Sequence, residues 1–305
     1  MESKVDLSQM PEGAVPVLDH GYVLYVDAMG TDADIAAAAR LSYGRGTKKV
    51  NKDEGLISYL YDHAHTSPFE MCEIKVQIRM PIFVMRQWVR HRMANLNEYS
   101  GRYSIIPELW YVPELDRLQK QSVTNRQGSS DDLVESPQYI QNEIDRVCRL
   151  AYGAYEAFID EDVDLSRELA RMVLPQNMYT EVVWKIDLNN MFKFLWLRDD
   201  EHSQWEIRQF AQAVAGMVKA RFPLAYAAYE KQRDSVKLTQ DELYAVVTGD
   251  LTGLRFSQSE KVRKLRAQIY EQSNNSLHDL CSYRKTNGQL EMFKASEVAT
   301  VSVAP

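Results

Sequence analysis

The sequence predicts an α/β or α+β domain over roughly residues 15–233, on three observations. "EIKVQIRM", residues 73–80, alternates apolar Ile74, Val76, Ile78 and Met80 with polar Glu73, Lys75, Gln77 and Arg79. That period of two marks a strand with one buried and one polar face. Helix-like segments are interspersed with other strand-like runs along the chain. The 305 residues, 45% of them hydrophobic, suffice for one large domain and an appendage.

Taken in order, residues 1–17 are punctuated by proline and glycine and read as a lead-in. "GYVLYVDAM" reads as a strand, and "DADIAAAARLSY" as an alanine-rich helix capped by Asp32 or a neighbour. "KDEGLISYLYDHAH" is a second helix, and "HTSPFE" a helix start with Ser67 as cap and Pro68 at the first position. After the strand at 73–80, Pro81 opens a helix, "PIFVMRQWVRHR", with Ile82, Phe83, Trp88 and Val89 as its apolar contacts. On that helix Gln87, Arg90 and His91 fall within one turn of each other. Asn95, Asn97, Ser100 and Gly101 then turn the chain into a loop.

Residues 112–136 read as a surface insertion. "PQYIQNEIDRVCRLAYGAYEAFIDE" is a long amphipathic helix with Ile140, Ile144, Val147, Ala151 and Tyr155 on one side. "DLSRELARMVLP" is a shorter helix stopped before Pro175, "YTEVVWKIDL" a strand and "NNMFKFLWLR" a helix. "SQWEIRQFAQAVAGMVKARF" is a periodic helix ending before Pro223. From residue 234 to 305 the chain is polar and mixed in charge, without a core period. It fits a disordered tail, an extra helical pair or a partner site.

The formal charge of −7 weighs against a general nucleic-acid binder. Three widely spaced cysteines, Cys72, Cys148 and Cys281, indicate neither a disulfide framework nor a zinc motif, and fit a reducing compartment. No apolar leader and no run long enough to span a bilayer is present, so a soluble, cytoplasmic protein without membrane contact is expected.

Against that acidic background, five arginines, His91 and only one acidic residue, Glu98, lie from Arg79 to Arg102. Arginine stays charged at ordinary pH, and its planar fork matches phosphate oxygens. Glu98, Asn97 and Ser100, interleaved with the arginines, add acceptors and donors suited to a nucleobase or sugar. The cluster therefore points to a small phosphorylated ligand, against the plainer reading of a solvated charged helix end. Ser100 lacks the adjacent base that a serine nucleophile needs, and Cys72 and Cys148 sit in apolar periodic segments. His63, His65 and Glu70 make a weak metal set with no further clustered ligand. Without an attacking side chain, the chemistry belongs to a cofactor.

"RHRMANLNEYSGRY", residues 90–103, resembles the signature of the flavin-dependent thymidylate synthases, written RHRxxSxNxxSxRY. Arg90, His91, Arg92, Asn97, Ser100, Arg102 and Tyr103 match, while Asn95 replaces the first serine. "HTSPFE", "PIFVMRQWVRHR", "ARMVLPQNMYTE" and "FLWLRDDEHSQWEIR" resemble the family's other blocks in the same order, so the likeness covers about residues 18–230. It implies a catalytic domain over 18–233 with an extension of unknown role at 234–305. The implied fold is a central, largely antiparallel sheet flanked by helices, with long helices in an oligomeric core.

The implied reaction is reductive methylation of dUMP to dTMP, with methylenetetrahydrofolate as carbon donor, FAD as hydride carrier, NADPH as reductant and no enzymic nucleophile. The implied assembly is a homotetramer with shared active sites, and no nucleic acid is expected as a partner. By matching position, Gln87, Arg90, Glu98, Ser100, Gly101, Arg102 and Arg198 would contact dUMP, with Arg171 reaching in from another subunit. Arg198 would be catalytic, easing ionisation at N3 of the uracil. His65, Ser67, Arg90, His91, Arg92, Glu98, Asp187, Asn189, Lys193 and His202 would line FAD. No metal is implied. Two rivals stay open: a nucleic-acid binder using the same arginines, and a degenerate homologue that binds nucleotide without turnover. Asn95, which still donates and accepts hydrogen bonds, implies an altered contact there.

Overall fold

The computed structural model describes residues 10–41, 52–123, 126–233, 235, 238–272, 282–286 and 289–293, and divides the chain into two units, Met1–Arg233 and Asp234–Pro305. The first begins with strands β1 (Val15–Val17) and β2 (Gly21–Met29), then helices α1 (Asp32–Leu41), α2 (Asp53–Asp62) and the single turn α3 (Ser67–Glu70). Strand β3 (Glu73–Pro81) leads through α4 (Ile82–Trp88) to β4 (Ala94–Glu98). A small hairpin, β5 (Gln119–Gln121) and β6 (Ser129–Leu133), precedes the long helix α5 (Pro137–Ile159) and the short α6 (Arg167–Ala170). Strand β7 (Tyr179–Asp187) and helices α7 (Leu188–Arg198), α8 (Trp205–Arg221) and α9 (Pro223–Arg233) complete the unit.

The main sheet has the order β1-β2-β3-β7-β4, and every neighbouring pair is antiparallel. The expected α+β class, with a central antiparallel sheet flanked by helices, is what forms. Strand β3 sits at its centre, with Ile78 opposite Val23 on one side and Val182 on the other. Its alternation is realised residue by residue: Ile74, Val76, Ile78 and Met80 are fully buried. They share one core with Trp88, Trp184, Phe194, Ile207 and Phe210, supplied by α4, β7, α7 and α8. Burying each such side chain is worth about 1.5–3 kcal/mol, which holds the register because a one-residue slip would turn the whole set to the polar face. On that polar face Lys185 pairs with Glu73 at 2.7 Å and Arg79 with Glu181 at 3.2 Å.

Several sequence expectations shift. The lead-in carries strand β1 at its end. The helix after Pro81 stops at Trp88, so Arg90, His91 and Arg92 lie in the turn beyond it. Val84 and Met85 share its buried face with Trp88, whereas Val89 is exposed. Residues 94–98, read as loop, form edge strand β4 paired with β7, Ala94 opposite Ile186 and Glu98 opposite Val182. Asparagines do not advertise a strand, but non-local pairing overrides propensity at an edge.

Thr66, not Ser67, occupies the cap position of α3, and its side chain makes no cap hydrogen bond. Asp32 does not cap its own helix. Its buried carboxylate accepts from Leu224 N and Ala225 N at 2.8 and 3.0 Å, capping α9, a helix that follows Pro223 and was not read from sequence. Helix α5 is rotated from the expected face: Cys148, Tyr152 and Tyr155 are buried, while Ile140 and Val147 are exposed.

The second unit holds a helical pair, α10 (Gln240–Thr248) and α11 (Phe256–Gln272), and a hairpin of β8 (Ser282–Thr286) and β9 (Gln289–Phe293). Ala245, Val246 and Val262 form its small core with Leu238, Leu251, Leu254, Leu265 and Ile269. Thr239 and Glu242 make a full capping box at the start of α10. Among the described residues no helix is long and apolar enough to cross a membrane. Cys281 lies outside the described residues.

Candidate active site

The expected contact residues gather into three groups. The first centres on Arg198, the last residue of α7. Its Nε donates to His91 Nε2 at 3.0 Å and its Nη2 to the Gln87 carbonyl at 3.3 Å. That carbonyl lies in the last turn of α4 and also accepts Arg90 N at 3.4 Å, so the guanidinium helps to finish the helix. The Gln87 side chain donates to Gln204 Oε1, tying α4 to the start of α8. Burial, and next the charge of Arg198, push the His91 pKa down to about 4, so the imidazole is neutral at neutral pH. Burial lowers the Arg198 pKa as well, yet a guanidinium has ample margin to stay charged. His202 lies on the following turn, held by Asp200 at 2.9 Å.

The second group is the loop after β4. Ser100 Oγ accepts from Arg102 N at 3.3 Å, and Arg102 Nη2 meets Glu168 at 2.8 Å. Arg171 lies in the same chain as this loop: a Cβ built on buried Gly101 would stand 3.5 Å from Arg171 Cδ and 2.7 Å from Ile106 Cδ1. Within one chain, Arg171 thus lies against the backbone of this loop. The loop is braced from behind. Tyr155 donates to none of its side chains but accepts Ile106 N at 3.1 Å, Tyr152 donates to Ile106 O at 3.0 Å, and Arg167 to Tyr103 O at 2.9 Å. Glu98 accepts from buried Thr180 at 2.8 Å.

The third group joins α3 to the first turns of α7. Asn189 donates to Glu70 at 3.1 Å, Lys193 is exposed beside Asn190 at 3.5 Å, and His65 and Ser67 are exposed nearby in sequence at the start of α3. Asp187 is already committed: it caps α7, accepting from Asn190 N at 2.9 Å and from the Asn190 side chain at 2.7 Å. Its carboxylate thus fixes the first turn of α7, from which Asn189 and Lys193 project.

Charge shows what these groups can hold. Arg86, Arg90 and Arg92 are exposed, and among the described residues none of them has an ion-pair partner. The Arg102–Glu168 pair is more than half exposed on both sides, and such a pair is worth only about 0–1 kcal/mol. A phosphate can displace Glu168 at little cost. Uncompensated arginines in an acidic chain suit a phosphorylated nucleotide and an electron-rich flavin. Among the described residues no cluster suits a metal ion. Cys72 is buried, its thiol pushed up to about 11 mainly by that burial, and Cys148 is raised for the same first reason. Neither thiol is an activated nucleophile.

His91 of the first group and Ser100–Arg102 of the second lie on either side of strand β4 along the chain. Strand β4 carries the backbone from Arg92 to Ser100 over five extended residues, about 16 Å at the usual rise. Two concavities among the described residues, of about 1120 Å³ around Asp19, Trp110 and Asp145 and about 580 Å³ around Phe83, Ile144 and Pro175, are not lined by the expected contact residues. The bracing residues Tyr152, Tyr155, Glu168, Thr180 and Gln204 were not read as functional from sequence. Only the tertiary contacts single them out, since their residue types carry no motif of their own.

Comparison with known proteins identifies the family. The family described as thymidylate synthase complementing protein matches residues 25–224. A flavin-dependent thymidylate synthase of Ehrlichia ruminantium is 51% identical over 214 residues, 70% of this chain and 71% of that protein. One of Thermus thermophilus is 48% identical over 264 residues, 86% of this chain and 90% of that protein. Since 264 exceeds the 233 residues of the first unit, the likeness runs past Arg233, and the extension is not wholly outside the relatives. Among solved structures, a UMP/dUMP methylase of Streptomyces cacaoi bound with 5-Br dUMP superposes with a TM-score of 0.63 at 26% identity, covering 71% of this chain and 97% of that one. With the signature at 90–103, the antiparallel sheet and these matches together, the chain belongs to the thymidylate synthase complementing protein family, that of the flavin-dependent thymidylate synthases.

Proposed function

We propose that this protein is a cytoplasmic FAD-dependent methyltransferase that converts dUMP to dTMP, working as a homotetramer with active sites shared between subunits. The observation that carries the reading is the exposed cluster Arg86, Arg90 and Arg92, without an ion-pair partner among the described residues and close in sequence to His91, which pairs with Arg198. The other half of the dUMP contacts, Ser100, Gly101, Arg102 and Arg171, follows β4 along the chain. Two such halves from different subunits make one complete site.

In that site Arg102 and Arg171 hold the phosphate, with Ser100 and the Gly101 backbone fixing the nucleotide's position. Gln87, Arg90 and Glu98 supply further polar contacts to it. Arg198 places a permanent cation beside the uracil, which lowers the cost of negative charge developing at N3 and makes C5 more nucleophilic. Bound FAD supplies the hydride, with methylenetetrahydrofolate giving the carbon and NADPH the reducing equivalents. Arg90, Arg92 and His91, with His65, Ser67, Asn189, Lys193 and His202, hold the flavin. Two anions brought together in a partly dry site repel unless cations are already in place, and the arginines meet that need.

The test is direct. The purified protein is given FAD, dUMP, methylenetetrahydrofolate and NADPH, and dTMP is followed by chromatography. The expected result is a yellow protein whose colour bleaches with NADPH and which forms dTMP. A colourless protein that refuses added FAD and makes no dTMP ends the proposal.

A further inference from the structure

We propose that His91 is a positioning residue for Arg198, fixing the plane of the guanidinium by accepting its Nε–H. The inference rests on the reading that Arg198 faces the uracil. Arginine Nε is always a donor, so the His91 Nε2 that lies 3.0 Å away must carry the lone pair. This fixes the tautomer: the imidazole proton sits on Nδ1, an N–H with no partner among the described residues.

The imidazole is itself held. Its ring meets Phe194 edge-on at 4.9 Å, and Phe194 is fully buried on α7, one turn before Arg198. Behind Phe194 stand Trp88 at 4.4 Å and Trp184 at 5.2 Å. His91 thus touches α7 at positions four apart, once through an aromatic edge and once through the hydrogen bond, so it cannot turn away without losing both. The Gln87 carbonyl takes Nη2 from a second direction. Two acceptors on two N–H groups of one rigid plane fix the orientation of that plane. The low pKa of His91 agrees with this role, because a protonated ring could not accept. Burial is its first cause and the facing charge of Arg198 its second.

A residue that acts only through Arg198 should make no difference once Arg198 is gone. The flavin-loaded protein is compared as wild type, His91→Leu, His91→Gln, Arg198→Ala and the double variant His91→Leu/Arg198→Ala. Turnover, FAD retention by absorbance and dUMP affinity in the absence of folate are measured for each. In the flavin-loaded protein, His91→Leu is expected to lower kcat about a hundredfold, the usual scale for a misplaced catalytic group, while keeping dUMP binding. His91→Gln, whose amide oxygen can still accept, is expected to recover most of that loss. The double variant should be no slower than Arg198→Ala alone.

An additive double variant or a wild-type kcat in flavin-loaded His91→Leu would each overturn the proposal. So would a folded His91→Gln that is as slow as His91→Leu; this variant also decides the matter if His91→Leu does not fold. Arg198→Ala with undiminished turnover would instead remove the reading on which the inference rests.

Discussion

A single arginine can be assigned only by what surrounds it. Arg102 has one weak, exposed partner, Glu168, and a phosphate offers it more charge and a bidentate fit. Arg102→Ala is therefore expected to abolish measurable dUMP binding while FAD stays bound; unchanged nucleotide affinity in a titration would refute the assignment. Ser100 shows no base at its Oγ, which instead accepts a backbone N–H. Ser100→Ala should keep measurable turnover, and complete loss with nucleotide binding intact would revive a serine nucleophile. His91 adds a pH signature. Its folded pKa, about 4, lies below the ordinary 6.5, so the folded state binds its proton less readily than the unfolded chain. The stability it contributes is complete above about pH 6.5 and is withdrawn as pH falls toward about 4. Thermal midpoints followed down that range should fall more steeply for wild type than for His91→Gln, and parallel curves would contradict the assignment.

At the scale of the element, the strongest periodicities were legible and the weakest were not. Strand β3 reads off the sequence because its alternation is complete, and α8 because its apolar stripe repeats over 17 residues. Strand β4 carries no pattern at all, with most of its side chains exposed, and exists because β7 offers a free edge. Helix α9 hides behind Pro223, which ends one helix and starts the next. Its N2 and N3 donors are satisfied by Asp32, on a segment some 190 residues away. Asp32→Ala removes both acceptors from a buried site and should cost about 1–2 kcal/mol, the usual range for a lost cap. Chemical denaturation would measure it; a change below a few tenths would show that water replaces the carboxylate freely.

At the scale of the molecule, Arg90 and His91 precede edge strand β4 and Ser100–Arg102 follow it, the division on which the proposal of a shared site rests. Helix α5 turns Ile140, Val147 and Leu150 outward, an apolar strip of the kind that subunits cover. If sites are shared, two different inactive variants can complement each other. Arg102→Ala and Arg198→Ala damage opposite halves, so mixing and reassembling them should restore roughly a quarter of the wild-type sites by random assortment, in the way symmetric oligomers share interfaces. Activity in the mixture no higher than in either parent would place both halves of each site in one subunit.

The sequence by itself determined the fold class, the central strand and the family. Each of these is local: a period of two, an apolar stripe, a motif of adjacent arginines whose chemistry travels with the residue type. The tertiary structure decided which residues act together. Arg198 and His91 are 107 positions apart, Glu98 and Thr180 are 82 apart, and Arg171 reaches Gly101 only because α6 folds against the loop. A hydrogen bond across such a separation leaves no trace in either local sequence, because what each side chain meets is set by the packing of the sheet and helices between them.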